Sequence, residues 1–429
     1  MRWCERRRLL LIVAGLAAGV TVAGSLIWRP DTTPAPARPG DPGVALEAAG
    51  AKLRERLTRL PTDAGGWASL GMVHVQLARV TDGASHYPLA QQAFDKSLSA
   101  RPHGNEPALT GLSALAAAKH DFAAAASYAE NALAADGFSA AAAGALADAY
   151  IELGRYDEGF AAVQKMADLR PDTASYARAS YSFELRGDTV RARELMAKAT
   201  QTAEDPSELV FALQHEADLA VAAHDLPAAQ ALLDRASQLY GQYVPVLYGR
   251  AKLAAAQANL PEAITLMRDV TTRQPLPGYV SYLSGLLTAS GDRDAAAQAH
   301  TLMRAAGQLS GPDTDRVLFE AEHGDPAAAV AMGRQLYAQR PSIAVADALA
   351  WALHHAGQDA EAATHAGLAL RLGTKDPLMI YHRAVIFKAL GRTAEAQAGL
   401  REALTLNPAF SPVHAPAARA ALAELGGAA

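Results

Sequence analysis

Apolar and polar positions divide the chain into three regimes. From Leu9 to Trp28 the run LLLIVAGLAAGVTVAGSLIW holds twenty residues without a charge. At about 1.5 Å rise per residue that run is about 30 Å long, the thickness of a bilayer's hydrocarbon core. From Arg29 to Gly43 apolar surface is scarce and Pro30, Pro34, Pro36, Pro39 and Pro42 predict a stiff spacer. As polyproline II it would reach roughly 45 Å. From Val44 onward apolar residues return at helical spacing, and alanine fills Ala116–Ala118 and Ala140–Ala143. Alanine is the strongest helix former and packs closely, so the pattern predicts an all-α chain.

The helical part has a beat. A turn signal, mostly Gly or His followed by Asp or Arg, recurs at His120, Gly154, Gly187, His224, Ala258, Gly291, Gly324, Gly357 and Gly391, in steps of 33, 34 or 37 residues. Five residues beyond each turn stand Ala125, Gly159, Ala192, Ala229, Ala263, Ala296, Ala329, Ala362 and Ala396. Seven residues before each come Ser113, Ala147, Ser180, Ala217, Ala251, Ser284, Val317, Ala350 and Ala384, again nearly all small. In a pair of antiparallel helices these are the points of closest approach, where a larger side chain would force the axes apart. Twelve residues past the turn a third column is apolar throughout: Ala132, Met166, Ala199, Ala236, Val270, Met303, Leu336, Ala369 and Ala403. It is expected to face the neighbouring unit.

Spacing and residue types resemble the tetratricopeptide repeat. The earliest unit carries the resemblance best, with Trp67, Leu70 and Gly71 opening it and Ala90, Phe94 and Pro102 closing it, about seven residues being inserted around Thr81–His86. Later units keep the small positions and, at Pro171, Pro275, Pro341 and Pro408, the terminal proline that cannot continue a helix. The resemblance covers residues 62–408 and implies a right-handed α-α superhelical solenoid of about ten helix-turn-helix repeats. Val44–Leu60, with Leu53, Leu57 and Leu60 on one face, and Ser411–Leu425, with Ala417, Ala420, Leu422 and Leu425, are expected to cap the array's ends. The expected organisation is a basic stub (1–8), a membrane segment (9–28), a proline-rich linker (29–43), a capping helix (44–61), the repeat array (62–408) and a second cap with tail (409–429).

Arg2, Arg6, Arg7 and Arg8 precede the apolar run. Because positive residues stay cytoplasmic, the array is expected outside the cell membrane, on a single-pass signal-anchor with a cytoplasmic N-terminus. Ala23, Gly24 and Ser25 also resemble a cleavage region, and the alternative is secretion after cleavage, although Leu26, Ile27 and Trp28 would then leave an apolar stub.

Composition removes several functions. The 39 basic and 44 acidic residues leave a charge of −5, without a basic footprint for nucleic acid. One cysteine, Cys4, excludes an intramolecular disulfide framework and a cysteine-rich zinc site. Phosphate loops, dinucleotide fingerprints and nucleophile elbows are missing from the sequence. His215-Glu216-Ala217-Asp218-Leu219 approaches a zinc-protease motif but has leucine where the second histidine ligand belongs. Adjacent His354 and His355 diverge by about 100° on a helix and suit chelation poorly. No catalytic residue, metal or cofactor is expected, and the 21 residues after Pro408 leave no room for a catalytic domain.

What remains is a surface. In the family the first helix of each pair lines the concave side, so the resemblance implies a protein or peptide ligand there. Candidate inward residues are Asp148, Tyr181, Asp218, Tyr248, Lys252, Tyr282, Trp351, His354 and Tyr381, with Glu152 and Lys388 beside them. Trp351, Tyr381 and Tyr282 lead, because aromatic side chains dominate binding hot spots. Chaperone-binding members of the family clamp a carboxylate with asparagine. The column six residues before each turn reads Ala114, Asp148, Tyr181, Asp218, Lys252, Gly285, Leu318, Trp351 and Val385, without asparagine. The expectation is thus a non-catalytic scaffold or adaptor. The alternatives are a self-assembling envelope component, since Leu53, Trp67 and Gly71 also resemble repeat proteins of c-type cytochrome assembly, and a repeat-containing enzyme.

Overall fold

The computed structural model describes residues 42–81, 85–307 and 313–426. The basic stub, the apolar run and the linker up to residue 41 lie outside the described residues. Among those described, the regular structure is helical without a strand, and no helix is long and apolar enough to cross a membrane.

Helix α1 (Pro42–Arg59) is followed by ten pairs. The first five are α2 (Ala64–Thr81) with α3 (His86–Ala100), α4 (Glu106–Ala118) with α5 (Phe122–Ala135), α6 (Ala140–Glu152) with α7 (Tyr156–Leu169), α8 (Thr173–Leu185) with α9 (Thr189–Thr202), and α10 (Pro206–Ala222) with α11 (Leu226–Tyr240). The next five are α12 (Val244–Ala256) with α13 (Leu260–Arg273), α14 (Pro277–Ser290) with α15 (Arg293–Gly307), α16 (Thr314–His323) with α17 (Pro326–Gln339), α18 (Ile343–His355) with α19 (Asp359–Ala369), and α20 (Pro377–Ala389) with α21 (Thr393–Leu406). Helix α22 (His414–Glu424) completes the described chain. Each second helix packs on its own first helix and on the next, which makes the repeats into a solenoid.

The turns explain the beat. Eight of the nine turn residues, all but Gly324, sit in the left-handed region with φ between 55° and 82°. In each, the next residue's N–H returns to the carbonyl five positions back at 2.8–3.1 Å, as Asp121 does to Ala116 and Arg392 to Phe387. That bond satisfies a carbonyl left open at the helix end. The same next residue then starts the second helix. Asp121, Asp188, Asp225, Asn259 and Asp292 each accept from the backbone N–H three residues on, at 3.0–3.4 Å. Two adjacent residues thus end one helix and cap the next.

The three columns are buried. Ala263 and Ala329 are fully enclosed and Ala296 is 5% exposed. The first two columns touch, since Ser113 Oγ donates to the Ala125 carbonyl at 2.8 Å and Ser180 Oγ to that of Ala192 at 2.7 Å. In the earliest unit Phe94 takes up the room: a Cβ on Gly71 or Gly111 would lie 2.5 or 2.2 Å from its ring.

The superhelix closes on itself. Gln274 Nε2 donates to the Val80 carbonyl, Arg340 pairs with Glu152, Ile343 N–H donates to Tyr156, and Asn407 donates to the Val221 carbonyl, contacts spanning 194, 188, 187 and 186 residues. One turn is therefore about 187 residues, or between five and six pairs, and the second turn rests on the first. Gly154 and Gly187 sit at that seam, where an added Cβ would lie 2.6 Å from the Pro341 carbonyl oxygen and 2.1 Å from that of Gly373.

Some expectations shift. Helix α1 begins at Pro42, inside the expected linker, and Leu60 is 53% exposed rather than part of the cap's apolar face, because the helix ends at Arg59. Helix α22 starts at His414, three residues later than expected, so Ala415, Ala418 and Leu422 are buried while Ala417 and Ala420 face out. Gly324 has φ −129°, since the ten-residue α16 ends differently from the other first helices.

Candidate binding lumen

First helices form the inner wall. On α10, Phe211, His215 and Asp218 stand 13, 9 and 6 residues before the turn at His224, which at 3.6 residues per turn places them on one stripe. Equivalent stripes bring Arg178 and Tyr181 from α8, Tyr248 and Lys252 from α12, and Tyr282 and Gly285 from α14 to the same space. Because the second superhelical turn covers the first, the concave side is a lumen of about 730 Å³. That volume lies in the range of ligand-binding clefts.

Its charges are paired across helices. Arg178, 3% exposed, makes a two-pronged contact with Asp148, Nε to Oδ1 at 2.9 Å and Nη2 to Oδ2 at 2.8 Å. Lys252 Nζ lies 2.5 Å from Asp218 Oδ1 and 4.5 Å from the Tyr248 ring centroid. Arg340 reaches Glu152 at 3.0 Å from the next superhelical turn. Burial raises the Glu152 carboxyl above its usual range while Arg340 pulls it down. Removing one partner of such a pair strands a buried charge, so the pairs hold helix register.

Uncharged hydrogen-bonding groups are left facing the space. Burial pushes the Tyr181, Tyr248 and Tyr282 hydroxyls above their ordinary pKa, and burial lowers His215 to about 4, so all four are neutral at pH 7. Tyr248 stacks obliquely on Tyr279 at 4.8 Å and edge-on to Tyr282 at 5.5 Å, and Phe211 meets His215 at 4.4 Å. Among the described residues these three hydroxyls and the His215 ring make no hydrogen bond. A wall of aromatic faces carrying free hydroxyls and an imidazole can bind apolar groups and backbone amides together.

Six of the nine candidate residues line this lumen: Asp148, Tyr181, Asp218, Tyr248, Lys252 and Tyr282. Glu152 joins them. Trp351, Tyr381 and His354 do not, and neither does Lys388, which pairs with Glu424. Trp351 is 4% exposed, stacks on His382 at 4.1 Å and donates from Nε1 to Glu322 Oε1 at 2.7 Å. Tyr381, 6% exposed, packs against Phe410 and His414, and His354 Nδ1 lies 2.6 Å from Asp359 Oδ1. Arg178, His215, Glu322 and His414 were not among the candidates. The first two stand nine residues before their turns, one helical step from the column that was read, so the same ruler reaches them. Among the described residues no cluster of ligating side chains is placed to hold a metal.

A tetratricopeptide repeat family model matches residues 140–173 and 379–410, the pairs α6–α7 and α20–α21 with their flanks. Among solved structures, Pseudomonas aeruginosa PilF is 18% identical over 49% of this chain and 92% of its own, with a TM-score of 0.37. The human IFIT1 dimer with PPP-AAAA is 14% identical over 84% and 87%, with a TM-score of 0.49. The Cut9–Hcn1 assembly is 15% identical over 89% and 82%, with a TM-score of 0.41. No curated protein matches the chain. The family model thus marks two tetratricopeptide repeats within this chain.

Proposed function

We propose that this tetratricopeptide repeat chain is a non-catalytic scaffold that binds a protein or peptide partner against the inner wall of its superhelix. The repeat fold suggests a protein-interaction scaffold, and one observation carries the reading to the lumen: Tyr181, Tyr248 and Tyr282 present rigid aromatic faces and unbonded hydroxyls to one space in which Asp148 and Asp218 are already paired with Arg178 and Lys252. Rigid, preformed walls reduce the ordering cost of binding. At the three tyrosines ligand recognition then falls to apolar contact and neutral hydrogen bonds, without a cofactor or nucleic acid.

On the same reading the apolar run 9–28 anchors the chain in the cell membrane with the arginines inside and the repeats outside. External protease on intact spheroplasts should digest the repeats, and a protected array contradicts the display. Crosslinking capture that compares native protein with Tyr248→Ala and Tyr282→Ala tests the binding surface. Loss of a defined partner is expected, and identical capture by all three contradicts the reading.

A further inference from the structure

The chain between α21 and α22 crosses the lumen. Asn407 Nδ2 donates to the Val221 carbonyl at the end of α10, at 3.1 Å. Pro412 and Val413 pack on α14, where a Cβ on Gly285 would lie 3.9 and 3.8 Å from them. His414 Nε2 then meets Glu322 Oε1 on α16 at 3.1 Å. Val221 and Glu322 are about half a superhelical turn apart along the chain, which puts them on opposing walls. The segment is a chord from one wall to the other.

It covers Trp351 and Tyr381, the two aromatic residues that their inward positions along the sequence assign to a partner. Phe410 packs against Tyr381 at 5.8 Å, and His414 lies over Tyr381 at 5.3 Å and edge-on to Trp351 at 6.1 Å. Its own polar groups are satisfied locally, with Val413 and His414 N–H donating to Ser411 Oγ and Ala409 N–H to Asn407 Oδ1. Its polar anchors are the Asn407 amide on Val221, at the seam between superhelical turns, and the His414 imidazole on Glu322 in the lumen wall. A segment so self-contained can leave without stranding buried hydrogen-bonding groups of its own. Burial alone would raise the Glu322 pKa, but the His414 hydrogen bond and charge, with the Trp351 N–H, hold it at about 2. An imidazole or ammonium in the place of His414 would keep that carboxylate ionised in the same way.

We propose that residues 407–414 are an intramolecular stand-in for the partner, and that the partner is a turn-forming, proline-bearing peptide with an aromatic residue for Tyr381 and, four residues on, an imidazole or ammonium for Glu322. The inference rests on the reading of the inner wall as the binding surface and names what fits it. As a tethered competitor the segment faces its seat at an effective concentration of order millimolar, so the partner binds only by outcompeting it.

The probe is a fluorescent synthetic peptide with the sequence of residues 405–416, titrated by anisotropy against the full chain. His414→Ala removes a charge-assisted hydrogen bond and should tighten peptide binding by about tenfold or more over wild type. Adding Glu322→Gln should abolish that gain, and a scrambled peptide should bind none of the chains. Hydrogen exchange on the same samples reports whether residues 408–413 have left the lumen while α18 and α20 stay protected. A segment that remains protected in His414→Ala is a structural cap, which overturns the proposal. A released segment whose seat still ignores the peptide overturns it equally. Neither outcome touches the Tyr248 and Tyr282 capture experiment, so failure here is distinguishable from failure of the lumen as a binding surface.

Discussion

The Tyr156 hydroxyl accepts a hydrogen bond from the Ile343 N–H at 2.7 Å, although 187 residues separate them. The pair joins the start of α7 to the start of α18, and Arg371 lies over the tyrosine ring at 5.2 Å. Burial pushes the Tyr156 hydroxyl up to about 12, so it stays protonated across the physiological range.

Tyr156→Phe leaves the Ile343 N–H buried without its acceptor. The expected cost is about 1–3 kcal/mol in urea or thermal unfolding, with the loss concentrated at the seam between superhelical turns. Hydrogen exchange should rise at the Ile343 amide and leave α12 and α13 unchanged. An unchanged unfolding midpoint contradicts the claim that the two turns support each other.

Turn glycines divide by what surrounds them. Gly391→Ala, at φ 71° with open space around it, should cost about 1 kcal/mol for left-handed backbone alone. Gly187→Ala should cost well over that, because its Cβ would meet the Gly373 carbonyl oxygen at 2.1 Å and push the second turn away. Ala258 already occupies φ 60°, so Ala258→Gly should stabilise by up to about 1 kcal/mol. Equal losses at Gly187 and Gly391 in parallel unfolding curves would refute the seam.

Ala263→Leu tests the small-residue columns. Ala263 is wholly enclosed between α12 and α13, and three extra carbons there should cost at least about 1–3 kcal/mol by forcing the axes apart. Calorimetry showing a native melting temperature would mean that close approach is not what selects small residues.

Acid should weaken the fold through His74 and His215. Burial lowers both to about 4, with His86 and Arg54 adding at His74, and with Lys252 and Arg79 adding but Asp218 opposing at His215. A depressed folded pKa means that the unfolded chain takes up the proton first, so their stability contribution is full above about 6.5 and is lost as pH falls toward about 4. His382 has the opposite sign. Burial lowers it, but Asp347 at 3.0 Å outweighs that and leaves it raised, so its contribution is present below about 6.5 and fades as pH rises through the folded value. His215→Leu should flatten the acid limb of a stability-against-pH curve, and an unchanged slope contradicts the neutral, buried imidazole.

How much of this was legible follows from what a periodic sequence records. Ala125, Ala192 and Ala263 recur because each pair meets its neighbour identically, so the small columns and the turns at His120 and His224 could be read one repeat at a time. The stripe through Asp148, Tyr181, Asp218 and Lys252 was legible for the same reason. Trp351 and Tyr381 were placed on the partner surface because they hold inward positions, yet residues 410–414 cover them, and nothing local at Trp351 encodes a segment more than fifty residues away. Contacts such as Gln274 to Val80 arise only when the superhelical pitch brings turns together, and a 34-residue rhythm carries no mark of that.

The lumen as the partner's site is tested most directly by a photoreactive amino acid placed at single positions in the full chain. Tyr248 and Tyr282 face the lumen, whereas Lys165 is exposed on α7 in the outer layer. Crosslinks to one partner from positions 248 and 282, and none from 165, are the expected result. Crosslinks from 165 with silence at 248 and 282 would place the partner on the outside of the superhelix and contradict the account.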